Sequence, residues 1–455
     1  MAEAIAELEK IVSDELGKSA SSWADAPLRA EQVENELAGD LPSWYLQMRD
    51  EAWRTFIAAP VPSRRDEAWR FANLKLTKFS GLQLAQTLEA GQAQALVERS
   101  VAGEKSAARL VFVNNALVSS EISDLPEGVI CLPMNEALIQ HGEKVREFFM
   151  QEEAQLGGKK FAALHGSGTL SGVFVHVPAG VELVGPVEVF HWMGGAERVI
   201  LPHTLIVSGE GSTVSVIDHY QSIDEDAAAL SIGMTDIVAG KNSKVNYVAL
   251  QRLSRSDRQV QMGSTLVGED AAVKTALINL GAAWVRNENI SRMMASGARS
   301  DMLALNLAAA NDEVDQRTLQ LHEVENTQSD LFYKNALYDQ AKTIFDGLIV
   351  VEKGAHHTDA FQTCRNLLNS DEAEANSMPG LQIDADQVRC SHGSTAGPID
   401  PDQLFYCSTR GITEQAARQL ISFGFLHEVI DRLDGDEIKE VVNRELEKAF
   451  KVVSE

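Results

Sequence analysis

The chain has 455 residues, 44% of them hydrophobic and 23% charged, a composition that suits a folded protein too long for one ordinary compact core. Its 66 acidic residues outnumber 40 basic ones for a formal net charge of −26, which argues against non-specific attachment to nucleic acid or to an anionic membrane. Four cysteines (Cys131, Cys364, Cys390 and Cys407) and no C-x-x-C motif argue against a disulfide framework and a conventional zinc site, and suggest a reducing, cytoplasmic location.

The first ten residues are acidic and amphipathic, without the basic start and apolar core of a secretory signal. No run of about 18 apolar residues predicts a membrane span. Apolar residues recur at helical spacing over 2–16 and 27–38, and 43–57 is rich in aromatics, so the N-terminal third reads as helical. At 60–71, Pro62 and Ser63 precede acidic residues, which predicts a further helix start. Trp44, Trp53 and Trp69 read as packing residues. Residues 109–135 read as short strands joined by turns.

From about residue 165 short alternating strands dominate. Turns carry Gly180, Gly209, Gly240, Gly268, Gly297, Asn326 and Gly354, at steps of 29, 31, 28, 29, 29 and 28 residues. After them, alternating runs open on Val214/Val216, Val245/Tyr247, Val273 and Met302/Ala304. A fixed period with a turn and a strand in each unit predicts a parallel β-solenoid, whose coils bury their inner faces only by stacking. A β-sandwich with chance glycine spacing is the alternative. Pro398 and Pro401 end this region, and amphipathic helices are expected over 402–410, 413–433 and 436–452. Thr413 is a good N-cap, and Ala416, Leu420, Phe423 and Val429 suggest the buried face of the middle helix. This divides the chain into a mainly helical region 1–160, a solenoid 161–398 and a helical region 399–455.

Cys390 and His392 stand two apart near the end of the solenoid. On a strand they share a face, so a thiol and an imidazole form a ready pair of metal ligands. Cys364 lies 10 residues after Gly354, and Cys390 lies 10 after Gly380. If Gly380 marks a turn, the two thiols are neighbours on adjacent coils, about 4.8 Å apart. If the mean step of 29 applies, Cys364 lies beside His392 and Gly393. The plain alternative is that the cysteines are small core residues and the histidine is satisfied by ordinary hydrogen bonds. His356-His357 and His322-Glu323 are weaker candidates for metal or acid–base work. Asp384 and Asp386 are paired carboxylates of the kind a carbohydrate-active β-solenoid enzyme would use, but no basic residue converges on them. Gly166-Ser167-Gly168 with Gly172 lacks the G-x-x-x-x-G-K-[ST] pattern, so no ATP site is expected in this chain.

Three long runs carry a family likeness: SDLFYKNALYDQAKTIFDGLIVV (329–351), TDAFQTCRNLLNSDEAEANSMPGLQIDADQVRCSHGST (358–395) and DQLFYCSTRGITEQAARQLISFGFLHEVI (402–430). Together they resemble the SufB/SufD family of iron–sulfur cluster assembly proteins, closely over 320–433 and back to GVFVHVPAGVEL (172–183). CSHG (390–393) and PSRRDEAWRFANL (62–74) look like the SufD branch. The resemblance implies a right-handed parallel β-helix flanked by N- and C-terminal helical domains. It implies a non-catalytic scaffold subunit that pairs with SufB through the β-helix, with a homodimer also possible, and docks the SufC ATPase through its C-terminal helices. A transient Fe–S cluster would form at the SufB interface, with His392 and Cys390 matching family positions there. Cys364, in FQTC, and Cys407, in LFYCSTRG, look more SufB-like, and Gln382 stands where the family has an acidic residue. A SufB-like scaffold holding sulfur or cluster through Cys364 is therefore the second reading.

Overall fold

The computed structural model describes residues 40–75, 82–85 and 88–453; the helices expected over 2–16 and 27–38 lie outside them. The first described elements are α1 (Ser43–Ala58), β1 (Gln83–Leu84), α2 (Ala90–Arg99), β2 (Ala108–Val113), β3 (Ala116–Ile122), β4 (Ile130–Pro133), α3 (Met134–Phe148) and α4 (Lys159–Gly168). The solenoid strands follow: β5 (Ser171–Val177), β6 (Val187–Met193), β7 (Arg198–Ile200), β8 (Pro202–Ser208), β9 (Thr213–Ser222), β10 (Leu230–Ala239), β11 (Lys244–Arg252), β12 (Arg258–Val267), β13 (Ala272–Asn279), β14 (Trp284–Met293), β15 (Arg299–Ala308), β16 (Glu313–His322), β17 (Gln328–Leu337), β18 (Lys342–Val351), β19 (Asp359–Leu368), β20 (Glu374–Ile383) and β21 (Arg389–Pro398). Helices α5 (Pro401–Thr409), α6 (Glu414–Asp431) and α7 (Asp436–Val453) close the described chain.

Each coil gives one strand to each of two sheets. One sheet runs β4-β5-β8 and then through the even strands to β20. The other runs β3-β2-β6-β9 and then through the odd strands to β21. Pairing between coils is parallel, in unbroken register from β9 to β21 in the odd sheet. At the N-terminal end, β4 pairs antiparallel with β5 and β3 antiparallel with β2. At the other end, β20 and β21 are the last strands of their sheets among the described residues.

The alternation read from sequence marks the inner face. Val214, Val245 and Val273 stack in one row, continued by Ser300, Ser329, Ala360 and Cys390. The next inner row is Val216, Tyr247, Thr275, Met302, Leu331, Gln362 and His392. A third runs Asp218, Ala249, Leu277, Ala304, Tyr333, Cys364 and Ser394. In the fourth, Asn279, Asn306, Asn335 and Asn366 pass one amide bond from coil to coil, each Nδ2 donating to the next Oδ1 at 2.6 Å. Such a ladder satisfies buried amides along the stack while the rows beside it stay largely apolar.

The repeat glycines serve two different needs. Gly297 and Asn326 hold left-handed backbone, with φ of 77° and 59°. Gly240 is required by proximity, since a Cβ there would meet the Ser208 carbonyl oxygen at 2.8 Å. Each of these residues lies in the turn from the even to the odd strand of its own coil, so the period survives although the positions are not equivalent.

The helix start expected at 60–71 is reduced to one 3-10 turn, Glu67–Trp69. Tertiary bonds hold this segment as a strap across the even sheet. Asn73 N donates to Glu313 Oε1 at 2.9 Å, Lys342 Nζ to the Phe71 carbonyl at 3.0 Å and Arg286 Nη1 to the Ala68 carbonyl at 3.1 Å. Of the three tryptophans, Trp69 is buried, and Trp44 and Trp53 are half-buried against apolar clusters.

On the odd sheet, α6 and α7 bury Leu426, Val429, Ile430, Val442 and Leu446 against Ile278, Leu303, Leu305 and Phe332. Thr413 caps α6 as read from sequence, accepting from Ala416 N at 3.3 Å. The buried face of α6 is rotated from the expected one: Ala417, Leu426, Val429 and Ile430 are buried, whereas Ala416 and Leu420 are exposed. The helix packs on the sheet and on α7 together, so no single stripe of sequence defines its inner side.

Candidate functional site

Among the described residues, the last coil has an inner face with no further strand stacked on it. Along β21 that face is Cys390, His392, Ser394 and Ala396, the in-register partners of Ala360, Gln362, Cys364 and Asn366 on β19. On β19 these four are buried; on β21 Cys390 and Ser394 are half-buried, and His392 and Ala396 are exposed. The same inward parity that hides side chains in every earlier coil thus presents a thiol and an imidazole at an open end. Cys390 and His392 share a face, as their spacing predicts. Across the ladder, Asp359 and Arg389 form an ion pair on the outer face.

Cys364 is near this pair but in neither register inferred from spacing. It lies opposite Ser394, not beside Cys390 or His392. Gly380 is no turn: it sits inside β20 and pairs with Leu348. The cause is an uneven coil length, 32 residues from Lys342 to Glu374 and 30 from Asp359 to Arg389. A mean step cannot carry that variation.

Burial pushes the Cys364 thiol up to about 12, against weaker hydrogen bonds from Asn366, Ser377, Asn335 and Ser394 that pull it down. Its Sγ lies 3.6 Å from Asn335 Nδ2 and 3.9 Å from Asn366 Nδ2, and the residue is 0% exposed. Burial also raises Cys390, less completely covered, with the Ala360 backbone hydrogen bond opposing it. Neither thiol is poised as a thiolate nucleophile. Cys131 in β4 is likewise buried and pushed up to about 12 by burial, and Cys407 is buried in α5. We expect a thiol-alkylating reagent to modify Cys390 in the folded protein while Cys364 and Cys131 react only on unfolding. Peptide mapping by mass spectrometry reads this order, and prompt labelling of Cys364 would contradict it.

Among the described residues no group of three His, Cys, Asp or Glu side chains converges to hold a metal ion. Cys390 and His392 place a thiol and an imidazole side by side on the open face of β21.

The weaker candidates have structural roles. His322 is buried, with Nδ1 2.7 Å from Thr327 Oγ1 and Nε2 2.9 Å from Ser329 Oγ; burial lowers its pKa to about 4. His356 Nδ1 bonds the Asp386 carbonyl at 3.0 Å in a turn, and His357 occupies a left-handed position there. Asp384 and Asp386 are exposed, and Asp384 accepts from Gln382 Nε2 at 3.2 Å. Gly166, Ser167 and Gly168 belong to α4. Sequence reading overlooked two features. One is Gln362, visible as a polar residue in an otherwise inward row. The other is the exposed face of the C-terminal helices, where Phe405, Tyr406 and Leu420 are 70%, 59% and 58% exposed. No helix among the described residues is long and apolar enough to cross a membrane.

Fold and site together define a β-solenoid protein, helical at both ends of its described chain, with an imidazole and a thiol at an uncovered coil. Residues 191–425 match the family model for the SufBD core domain of SUF-system FeS cluster assembly, and residues 31–189 match the SufBD N-terminal region. The chain belongs to the SufBD family of iron–sulfur cluster assembly proteins. It is 27% identical to SufD of Bacillus subtilis over 73% of this chain and 76% of that protein. To SufD of Escherichia coli it is 28% identical, over 84% of this chain and 88% of the relative. To a SufBD family protein of Synechocystis it is 26% identical, over 90% and 92%.

Proposed function

We propose that this chain is the SufD-type, non-catalytic subunit of an iron–sulfur cluster assembly scaffold. It pairs with SufB through the last coil of its solenoid and docks the SufC ATPase through its C-terminal helices. The observation that carries this reading is the open inner face of β21, with His392 and Cys390 on it. Strand edges β20 and β21 offer unpaired backbone groups, the natural template for a partner's strands. A partner coil seated there would meet the imidazole and thiol and supply the remaining ligands. A second copy of this chain could use the same edges, as a homodimer competing with the SufB pair.

The cluster is cargo in this reading, held transiently and passed on. Imidazole and thiolate both suit iron ligation, and Cys390 would lose its proton on binding the metal. Cys364, buried behind the site, supports the SufB-like alternative poorly. Region 161–398 carries the SufB contact and region 399–455 the SufC contact, with 1–160 as the N-terminal unit. ATP hydrolysis belongs to SufC, and four free cysteines suit a reducing compartment such as the cytoplasm. Exposed Phe405, Tyr406 and Leu420 give α5 and α6 the apolar surface a docking partner needs.

Co-expression with SufB and SufC, followed by affinity purification on this chain, tests the reading. Both partners should be retained by the wild type. Phe405→Asp with Tyr406→Asp should lose SufC and keep SufB, because those exposed side chains lie on α5 and not on β21. Retention of neither partner by the wild type would overturn the proposal.

A further inference from the structure

Gln362 has the burial of a core residue and none of its bonds. It is 1% exposed, yet neither its carboxamide oxygen nor its nitrogen has a hydrogen-bond partner. Unpaired polar groups at this depth are costly, so a native protein rarely keeps one without a use. In the two preceding coils the same inner row holds Met302 and Leu331, which have no polar group to satisfy. The row is polar at its last two rungs, Gln362 and then His392, as it is earlier at Tyr247 and Thr275.

The surroundings orient the carboxamide. It reaches across the interior to the even sheet, where its Nε2 lies 2.1 Å from the position a Cβ on Gly347 would take. The absence of a side chain at Gly347 makes that room. Thr318 Oγ1, itself buried without a partner, lies 2.8 Å from the same point. The nitrogen end and the Thr318 hydroxyl therefore face the same space left by Gly347, without a bond between them. Among the described residues β21 is the only strand beyond β19 in its sheet, and its inner row covers Gln362, with His392 as the register partner directly above. Side chains on adjacent parallel rungs are about 4.8 Å apart at their backbones, within reach of an amide-to-imidazole hydrogen bond.

We propose that Gln362 is the positioning residue for His392. A turn of the exposed His392 ring brings one N–H to the Gln362 Oε1, which is unpaired in the structure, and selects one neutral tautomer. The lone pair of the other nitrogen then faces out of the open coil, toward the cargo. Metal-binding histidines in general donate their second N–H to a carbonyl or carboxylate, which fixes the ring and raises its basicity as a ligand. The inference rests on the proposed role of His392 at the cluster interface, but its first test does not need the cluster.

Nitrogen NMR of the full chain with ring-labelled histidine, at alkaline pH, reads the His392 tautomer. The wild type should hold one form. Gln362→Met keeps the length and removes the acceptor, and should move His392 toward the mixture of a free imidazole. Gln362→Glu keeps an acceptor and should restore the single form, with backbone amide spectra reporting intact folding. In the complex with the partner subunit, Gln362→Met should weaken ferrous-iron retention about 10–100-fold. A wild-type tautomer signature in Gln362→Met overturns the proposal. If the tautomer follows Gln362 while His392→Ala leaves cluster delivery normal, the positioning role stands and the ligand role of His392 falls.

Discussion

Asp315→Ala is expected to lower the unfolding free energy by about 3–5 kcal/mol, the cost of leaving buried charge without its partner. Asp315 is fully buried on the outer face of the even sheet, between two buried arginines. It accepts from Arg317 Nε at 2.8 Å and from Arg286 Nη1. Arg286 also donates to Glu288 Oε1 at 2.6 Å and stacks over Trp69 at 3.7 Å from the ring centre. The ladder therefore runs under the strap of residues 66–73 and fastens it. Removing the carboxylate leaves two guanidiniums sharing Glu288 and the half-exposed Asp346. Water cannot reach Arg286 to compensate. Asp315→Asn should cost less, because the amide retains an acceptor. Denaturant unfolding gives the size of the effect, and Trp69 fluorescence reports whether the strap loosens first. A loss under about 1 kcal/mol would mean that the arginines re-pair at no cost, and the clamp assignment would fail.

His392→Ala is expected to abolish delivery of clusters to recipient enzymes in cells while leaving melting unchanged. The side chain is exposed on a coil with nothing above it, so its removal opens no cavity. Substitutions at such positions usually change stability by no more than about 0.5 kcal/mol. Its chemistry is irreplaceable in the proposed interface, where the chain otherwise offers only the Cys390 thiol. Maturation of iron–sulfur enzymes in a strain relying on this protein measures the effect, with co-purification of SufB as the control for assembly. Normal maturation in that strain would remove His392 from the site. Cys390→Ser should be milder if the imidazole carries the contact.

Much of this architecture was legible before any coordinates. The near-constant step between turns implied stacked coils, because a turn-and-strand unit of that length cannot bury its face alone. Val214, Val245 and Val273 each open an alternating run after a turn, and they stack in one inner row. Thr413 announced the start of α6, because its side chain accepts within the helix's own first turn. These are local rules, set by backbone periodicity and by caps a few residues away.

The strap and the register were not legible. PVPSRRDEAWRF carries helix-start chemistry, yet Glu313, Lys342 and Arg286, more than two hundred residues later, bond its backbone and hold it to a single 3-10 turn between bends. The cysteine geometry failed for a different reason. Two turns near the end of the solenoid absorb extra residues without disturbing the strands, so Cys364 moved opposite Ser394.

The sequence by itself therefore determined that Cys390 and His392 share a face, since strand alternation over two residues admits no other arrangement. It determined the solenoid for the same kind of reason. Only the tertiary structure decided that this face opens outward, that Cys364 lies sealed one rung behind it, and that Gln362 stands beneath the imidazole. Those facts depend on which strand is last in its sheet and on how many residues each turn consumes. Both are set by stacking between coils about thirty residues apart, where no local preference reaches.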